Sequence, residues 1–419
     1  MNHQAIKFKW LISEYDVRST EITRYPLMSV SQYLGVVPRS ELKGDEGRAE
    51  STENYKTSKP GQIVLNRMSA ASGALGLATE YGLVSPDYAV LQPSNFVEPK
   101  YLYYLMKSDW FTGQMVARLK GIGAGGESAS VRTPRVNISD LGDIEVNLPL
   151  IEEQRRIADF LDSQSSRIDK ILVTKAQQID LLKQEVQTSS AGFFGHPIFS
   201  GSETKESRRL GPCLLVNEGG YWGDDPTGEN DTLVLRSTEI SSRGKWRELS
   251  NGAYRSLNIE FGNKHLLQRD DILVTKASGS LDHIGKAALA TEEIVSLGAS
   301  FGNFMQRLRI NREIFLPEYI CHFLRSTNAR AQFQYMGTTS TGLFNISAEL
   351  LNDLQVPVVS LSEQHNIVKS LEELESRFEA RVSLIEESIK LFEEFKLATI
   401  SEAITGKSMF ESLKGLVNV

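Results

Sequence analysis

Six histidines and two cysteines are the residues from which a metal or nucleophilic site would most readily be built, and their spacing builds none. His3, His196, His265, His283, His322 and His365 are scattered, without a companion at a metal-ligand spacing. The chain contains no CxxC, HExxH or GxSxG. Two stretches approach a phosphate loop. GSLDHIGKA (279–287) has one residue too many between its glycines, and Ala where Ser or Thr should meet magnesium. TGKS (405–408) has Ser401 where the first glycine belongs and follows a helical pattern instead of opening one, so Gly406 reads as a helix C-cap. No Asn-Pro-Pro or Asp-Pro-Pro precedes an aromatic residue, the arrangement that holds a flipped base for amino methylation, and no glycine-rich dinucleotide loop occurs. The chain reads as non-catalytic.

Base edges in a groove are read by Arg, Lys, Asn, Gln, Ser and Thr, and phosphates by Lys, Arg and backbone amides. RLKGIGAGGESASVRTPRVN (118–137) sets Lys120, Arg132 and Arg135 around a glycine run. Arg67, in LNRMSAASGALG (65–76), follows a strand-like run, as does Lys276 in VTKASGSLDHIG (274–285). SSRGKWRE (241–248) places Arg243, Lys245 and Arg247 beside Trp246, and YMGTTSTGLFN (335–345) offers Thr338 and Thr339. On the family resemblance given below, these ten would be the candidate DNA contacts, although glycine–serine loops are often only turns.

A chain of 419 residues, 40% hydrophobic and 24% charged, has room for two or three ordinary domains. Two cysteines make no disulfide framework, and MNHQAIKFKWLISEYD has no long apolar run, so a cytoplasmic protein without membrane partners is expected. The net charge of -7 is uneven: segments 1–148 and 208–356 carry 0 and -1, whereas 149–207 and 357–419 carry -2 and -4. An acidic helical segment is not favoured along phosphates and suits a protein partner.

The elements that must position these residues are stated twice. Shifted by 210, Glu153, Gln154, Ile157 and Leu161 fall on Glu363, Gln364, Ile367 and Leu371. Upstream, NISDLGDIEVNLP (137–149) faces NISAELLNDLQVP (345–357), GQIVLNRMS (61–69) faces DDILVTKAS (270–278), and PKYLYYLMKS (99–108) faces PEYICHFLRS (317–326). The unit is a small domain of strands and short helices, then a long helix. Pro149 and Pro357 punctuate the helix starts, and Ser360 and Glu363 have capping-box spacing. Heptad spacing follows: Leu161, Ile168, Lys175 and Leu182 in one helix, Leu371, Phe378, Ile385 and Phe392 in the other, with one lysine interrupting the first seam. Each helix should run about 40 residues, or about 60 Å, and bury its stripe antiparallel against the other copy about a pseudo-two-fold axis.

A globular domain ending in Pro and then Gln at a long-helix start, repeated once, resembles the specificity subunit of type I restriction–modification systems. The segments that carry the resemblance are LPLIEEQRRIADFLDSQSSRIDKI (148–171) and VPVVSLSEQHNIVKSLEELESRF (356–378), with the closing ATISEAITGK (398–407). The resemblance implies an α+β fold: two mixed α/β target-recognition domains, joined by two long antiparallel helices in a coiled coil. Its domains would be 1–148 and 208–356, its helical segments 149–207 and 357–419. It implies double-stranded DNA and two methyltransferase subunits as partners, with restriction subunits in the larger assembly. S-adenosylmethionine, ATP and magnesium would belong to those partners, none to this chain. Helix faces, including Gln154 and Gln364, would dock the methyltransferase; the local alternative is that each glutamine satisfies helix-end amides. A coiled-coil adaptor that binds only proteins is the other reading, and an enzyme with an unrecognised site a third.

Overall fold

The computed structural model describes residues 4–19, 25–32, 34–41, 52–119, 135–195, 206–241, 243–249, 252–257, 264–278, 284–336, 339–340 and 343–406. They form two compact units, Met1–Ala176 with Glu386–Val419, and Gln177–Ile385. Each unit holds a globular domain together with a stretch of both long helices.

In unit 1 the strand Gln4–Lys7 pairs antiparallel with Glu145–Leu148, so the first and last strands of the domain close on each other next to the helix start. A four-stranded antiparallel sheet follows in the order Ile12–Glu14, Tyr88–Pro93, Ile63–Asn66, Leu75–Leu77. Its central strand, IVLN, is β-branched and aliphatic and nearly wholly buried, as a strand flanked on both edges should be. Two helices pack on the sheet, Pro99–Lys107 and Asp109–Val116. Proline at the first turn costs no hydrogen bond there. Ser108 ends one helix and its Oγ accepts from the amide of Phe111 to cap the next.

Unit 2 repeats the scheme. Ser207–Arg209 pairs with Gln355–Pro357. The second four-stranded sheet runs Leu214–Gly219, Met305–Ile310, Ile272–Thr275, Ala287–Leu289. Helices Pro317–Arg325 and Thr327–Met336 follow, with Ser326 Oγ accepting from Ala329 as Ser108 does from Phe111.

The long helices are Ile151–Phe194 and Leu361–Thr405, 44 and 45 residues, slightly longer than the periodicity predicts. They end on left-handed glycines, Gly195 (φ 73°) and Gly406 (φ 68°), so Thr405 and Gly406, the described part of the TGKS stretch, close a helix as expected for a C-cap. They pair antiparallel within both units. In unit 1 Lys396 donates to Asp169 at 2.6 Å, and Lys175, the interruption in the seam, lies 5.6 Å from the centroid of the Phe392 ring. In unit 2 Leu182 packs with Phe378 and Val382. As one number rises, its partner's falls.

The core of unit 1 joins Phe8, Ile63, Tyr101 and Phe111 to Ile157 and Leu161 from the first long helix, and to Ile400 and Ala403 from the end of the second. The core of unit 2 joins Ile272, Phe315 and Tyr319 to Ile367 and Leu371, and to Phe194 from the end of the first helix. Each domain is thus closed by the start of the helix that follows it and the end of the other one.

Candidate nucleic-acid interface

The glutamines at the two helix starts do one job twice. Gln154, 1% exposed, accepts at Oε1 from the amide of Glu98 (2.8 Å) and donates through Nε2 to the carbonyls of Phe96 (3.3 Å) and Pro149 (2.9 Å). Gln364, 0% exposed, accepts from Leu316 (2.8 Å) and donates to Ile314 and Val359 (3.0 Å each). Each amide pins the loop before a proline-started helix to the first turn of the long helix. Buried and saturated, Gln154 and Gln364 have no surface left for a methyltransferase, so the local alternative holds and their docking role is corrected.

Arg67 and Lys276 occupy equivalent places, one residue beyond the central strands Ile63–Asn66 and Ile272–Thr275. The segments expected to read DNA meet them there. The amide of Val136, beside exposed Arg135, donates to the Arg67 carbonyl at 2.9 Å, and that of Ile346 to the Lys276 carbonyl at 2.7 Å. The pair Ala277–Ser278 also extends Leu343–Asn345, whose other neighbour is Thr339–Ser340. The structure therefore joins Arg67 to the end of the first glycine loop and Lys276 to the second. Lys120, Arg132 and Thr338, and the side chain of Thr339, lie outside the described residues.

The surroundings of these cations were not legible in the sequence. The Arg67 guanidinium is paired with Glu14, which also stands 3.6 Å from the buried Lys56 ammonium. Lys276 donates to Gln306 Oε1 at 3.3 Å, and burial lowers its pKa. Arg243 and Lys245 have partners within the chain. The Arg243 guanidinium sits 4.2 Å from the centroid of Phe378 and 3.6 Å from Glu379, and Lys245 donates to Glu379 at 2.6 Å, so both fasten their loop to the second long helix. Arg247 remains exposed, and with burial it depresses the pKa of nearby Lys286.

The second sheet also encloses charges absent from the first. Asp271, 0% exposed, accepts from Arg309 Nε and Nη2 at 2.7 and 2.9 Å and from the Gln268 amide at 2.8 Å. Arg307 pairs with Glu218. Arg307 also donates to the carbonyls of Leu266 (2.9 Å) and Lys264 (3.1 Å), so these charges are held by one another and by the backbone and serve the core.

A repeated frame carrying unlike loop chemistry is the form in which a recognition protein would appear, and the comparisons agree. Residues 24–181 and 234–387 each match the type I restriction modification DNA specificity domain, and the chain belongs to that family. It is 22% identical over 335 residues to the specificity subunit of the type I restriction enzyme StySPI of Salmonella potsdam, and 23% identical over 337 residues to that of EcoKI of Escherichia coli (strain K12). Each alignment spans 77% of this chain and 69% of the relative. A chain from a structural study of complex assembly and conformational transition of the type I R-M system shares the fold, with a TM-score of 0.67 at 15% identity over 96% of this chain and 97% of that one. Within this family the chain is a non-catalytic, DNA-recognition component. Among the described residues no helix is long and apolar enough to cross a membrane.

Proposed function

We propose that the chain is the DNA-reading subunit of a type I restriction–modification complex, and that its target is bipartite and asymmetric, one half for each globular domain. The observation that carries this reading is the double match to a DNA specificity domain, over 24–181 and again over 234–387. The unlike surroundings of Arg67 and Lys276 support the asymmetry. Two domains on one frame would leave an unread gap fixed by that frame. Methyltransferase subunits, carrying S-adenosylmethionine, would dock on the acidic helices, with restriction subunits supplying the ATP- and magnesium-dependent steps. Arg135, Arg247 and Lys276, with the loops that hold Lys120, Arg132, Thr338 and Thr339, are the DNA contacts of this reading.

The test is a map of methylated adenines in DNA from cells expressing a cognate methyltransferase with and without this chain. A two-part motif with a fixed gap, present only with the chain, is the expected result. The same methylation by a competent methyltransferase in both cells would favour a protein-only adaptor.

A further inference from the structure

The strand registers fix which residues of the two units correspond. Ile63 faces Leu91, which faces Glu14; Ile272 faces Leu308, which faces Asn217. Arg67 therefore corresponds to Lys276, and Glu14 to Asn217. In unit 1 the cation is neutralised by the carboxylate at this place. In unit 2 the carboxylate is replaced by an amide: Gln306 Nε2 donates to Asn217 Oδ1 at 2.7 Å, and Gln306 Oε1 accepts from Lys276.

An ammonium has three donors. Among the described residues Lys276 uses one of them, in a long bond of 3.3 Å to a neutral oxygen, and meets no carboxylate. A partly buried cation carries a desolvation cost, and the one neutral bond it makes among the described residues does not repay it. Space is kept for it: a Cβ at Gly219 would stand 2.7 Å from Lys276 Nζ. Beside it Phe304, 60% exposed, accepts the Lys276 amide at its carbonyl (3.0 Å).

We infer that Lys276 is a DNA contact of the second domain, its ammonium aimed by Gln306 and Asn217 at an acceptor atom of the duplex, and that Arg67 makes no equivalent contact because Glu14 neutralises it. The inference rests on the DNA-reading role proposed above. The acceptor is a phosphate oxygen or the O6/N7 edge of a guanine, both of which a lysine can serve.

The experiment uses the chain assembled with its methyltransferase and a duplex carrying the mapped motif, with affinity measured across salt concentrations. Lys276→Gln should weaken binding by about ten-fold. Gly219→Ala keeps the charge but displaces the ammonium, and should weaken binding in the same direction. Arg67→Gln should change it by less than about two-fold, a neutralised surface cation contributing little. A phosphate contact lowers the salt slope by about one, equally for all sequences. A guanine contact instead relaxes discrimination at one base pair. Either pattern upholds the contact. Wild-type affinity in Lys276→Gln overturns it, whatever Gly219→Ala does, as does an Arg67→Gln loss equal to that of Lys276→Gln. If the wild-type complex itself does not prefer motif DNA to scrambled DNA, the reading role fails and this inference with it.

Discussion

The residue just before the central strand is Gln62 in the first unit and Asp271 in the second, and the two solve one problem with different chemistry. Gln62 accepts from the Lys59 amide at 2.8 Å and donates to Gln92 at 2.9 Å. Asp271 accepts from the Gln268 amide at 2.8 Å and binds Arg309 through both nitrogens. Backbone geometry is the same; one pair is neutral and the other ionic. Two residues along, Val64 faces Val90 in the first unit, where Leu273 faces Arg307 in the second. What persists between the copies is the hydrogen-bonded frame, and charge is free to vary on it.

That contrast should appear first in stability. Arg309→Met leaves the fully buried Asp271 carboxylate with only the Gln268 amide and the Arg307 guanidinium 3.7 Å away, and should cost about 3 kcal/mol, since breaking a buried pair is strongly destabilising. Gln92→Met leaves only a neutral amide short of one partner and should cost about 1–2 kcal/mol. Denaturant unfolding of the whole chain measures both, and equal losses would break the comparison. The glutamine clamps should behave oppositely, as a matched pair. Gln154→Leu and Gln364→Leu each leave one amide and two carbonyls without their partner, at about 2 kcal/mol apiece. A loss confined to one copy would show that the clamps are not equivalent.

A smaller effect separates the units in acid. His322 corresponds to Tyr104 through the repeat. Burial and the neighbouring Arg325 push the His322 pKa down to about 3, while Glu375, 3.6 Å away, is raised by its own burial. A histidine with a depressed folded pKa binds its proton more tightly when unfolded. Its contribution is therefore intact above about pH 6.5, the ordinary histidine value, and is lost as pH falls toward 3. Glu375 titrates with the opposite sign and partly offsets this. His322→Tyr should flatten the fall in unfolding midpoint between about pH 6 and 4; an unchanged slope would remove histidine from the account. Smallest is Glu379→Gln. Its pairs with Arg243 and Lys245 are part-exposed, so stability should change by less than about 1 kcal/mol. The two released cations should raise the DNA association rate at low salt, measured by stopped flow. No change would mean that the loop stays on Phe378 without them.

Much of the frame was legible in the sequence because it rests on local signals repeated at nearly one spacing. The facing segments IVLN and ILVT are the two central strands, Pro99 and Pro317 open matching helices, and Gln154 and Gln364 are matching clamps. The candidate contacts were legible as residue types and places, not as free charges. Glu14 lies 53 residues from Arg67, and Glu379 lies 134 from Lys245. No local pattern reports such pairings, because they depend on strand register and helix packing. The same holds for Phe194 and Ile400, whose burial at the far ends of the helices has no signal in their own heptads.

On the function proposed above, each globular domain reads its own half of the target on an interchangeable frame. The direct test replaces residues 207–357 with a second copy of 4–148, strand boundary for strand boundary, and maps methylated adenines with the same methyltransferase. The expected motif contains the half-site of the first domain twice, across a fixed gap. Retention of both original halves would contradict independent reading by the two domains.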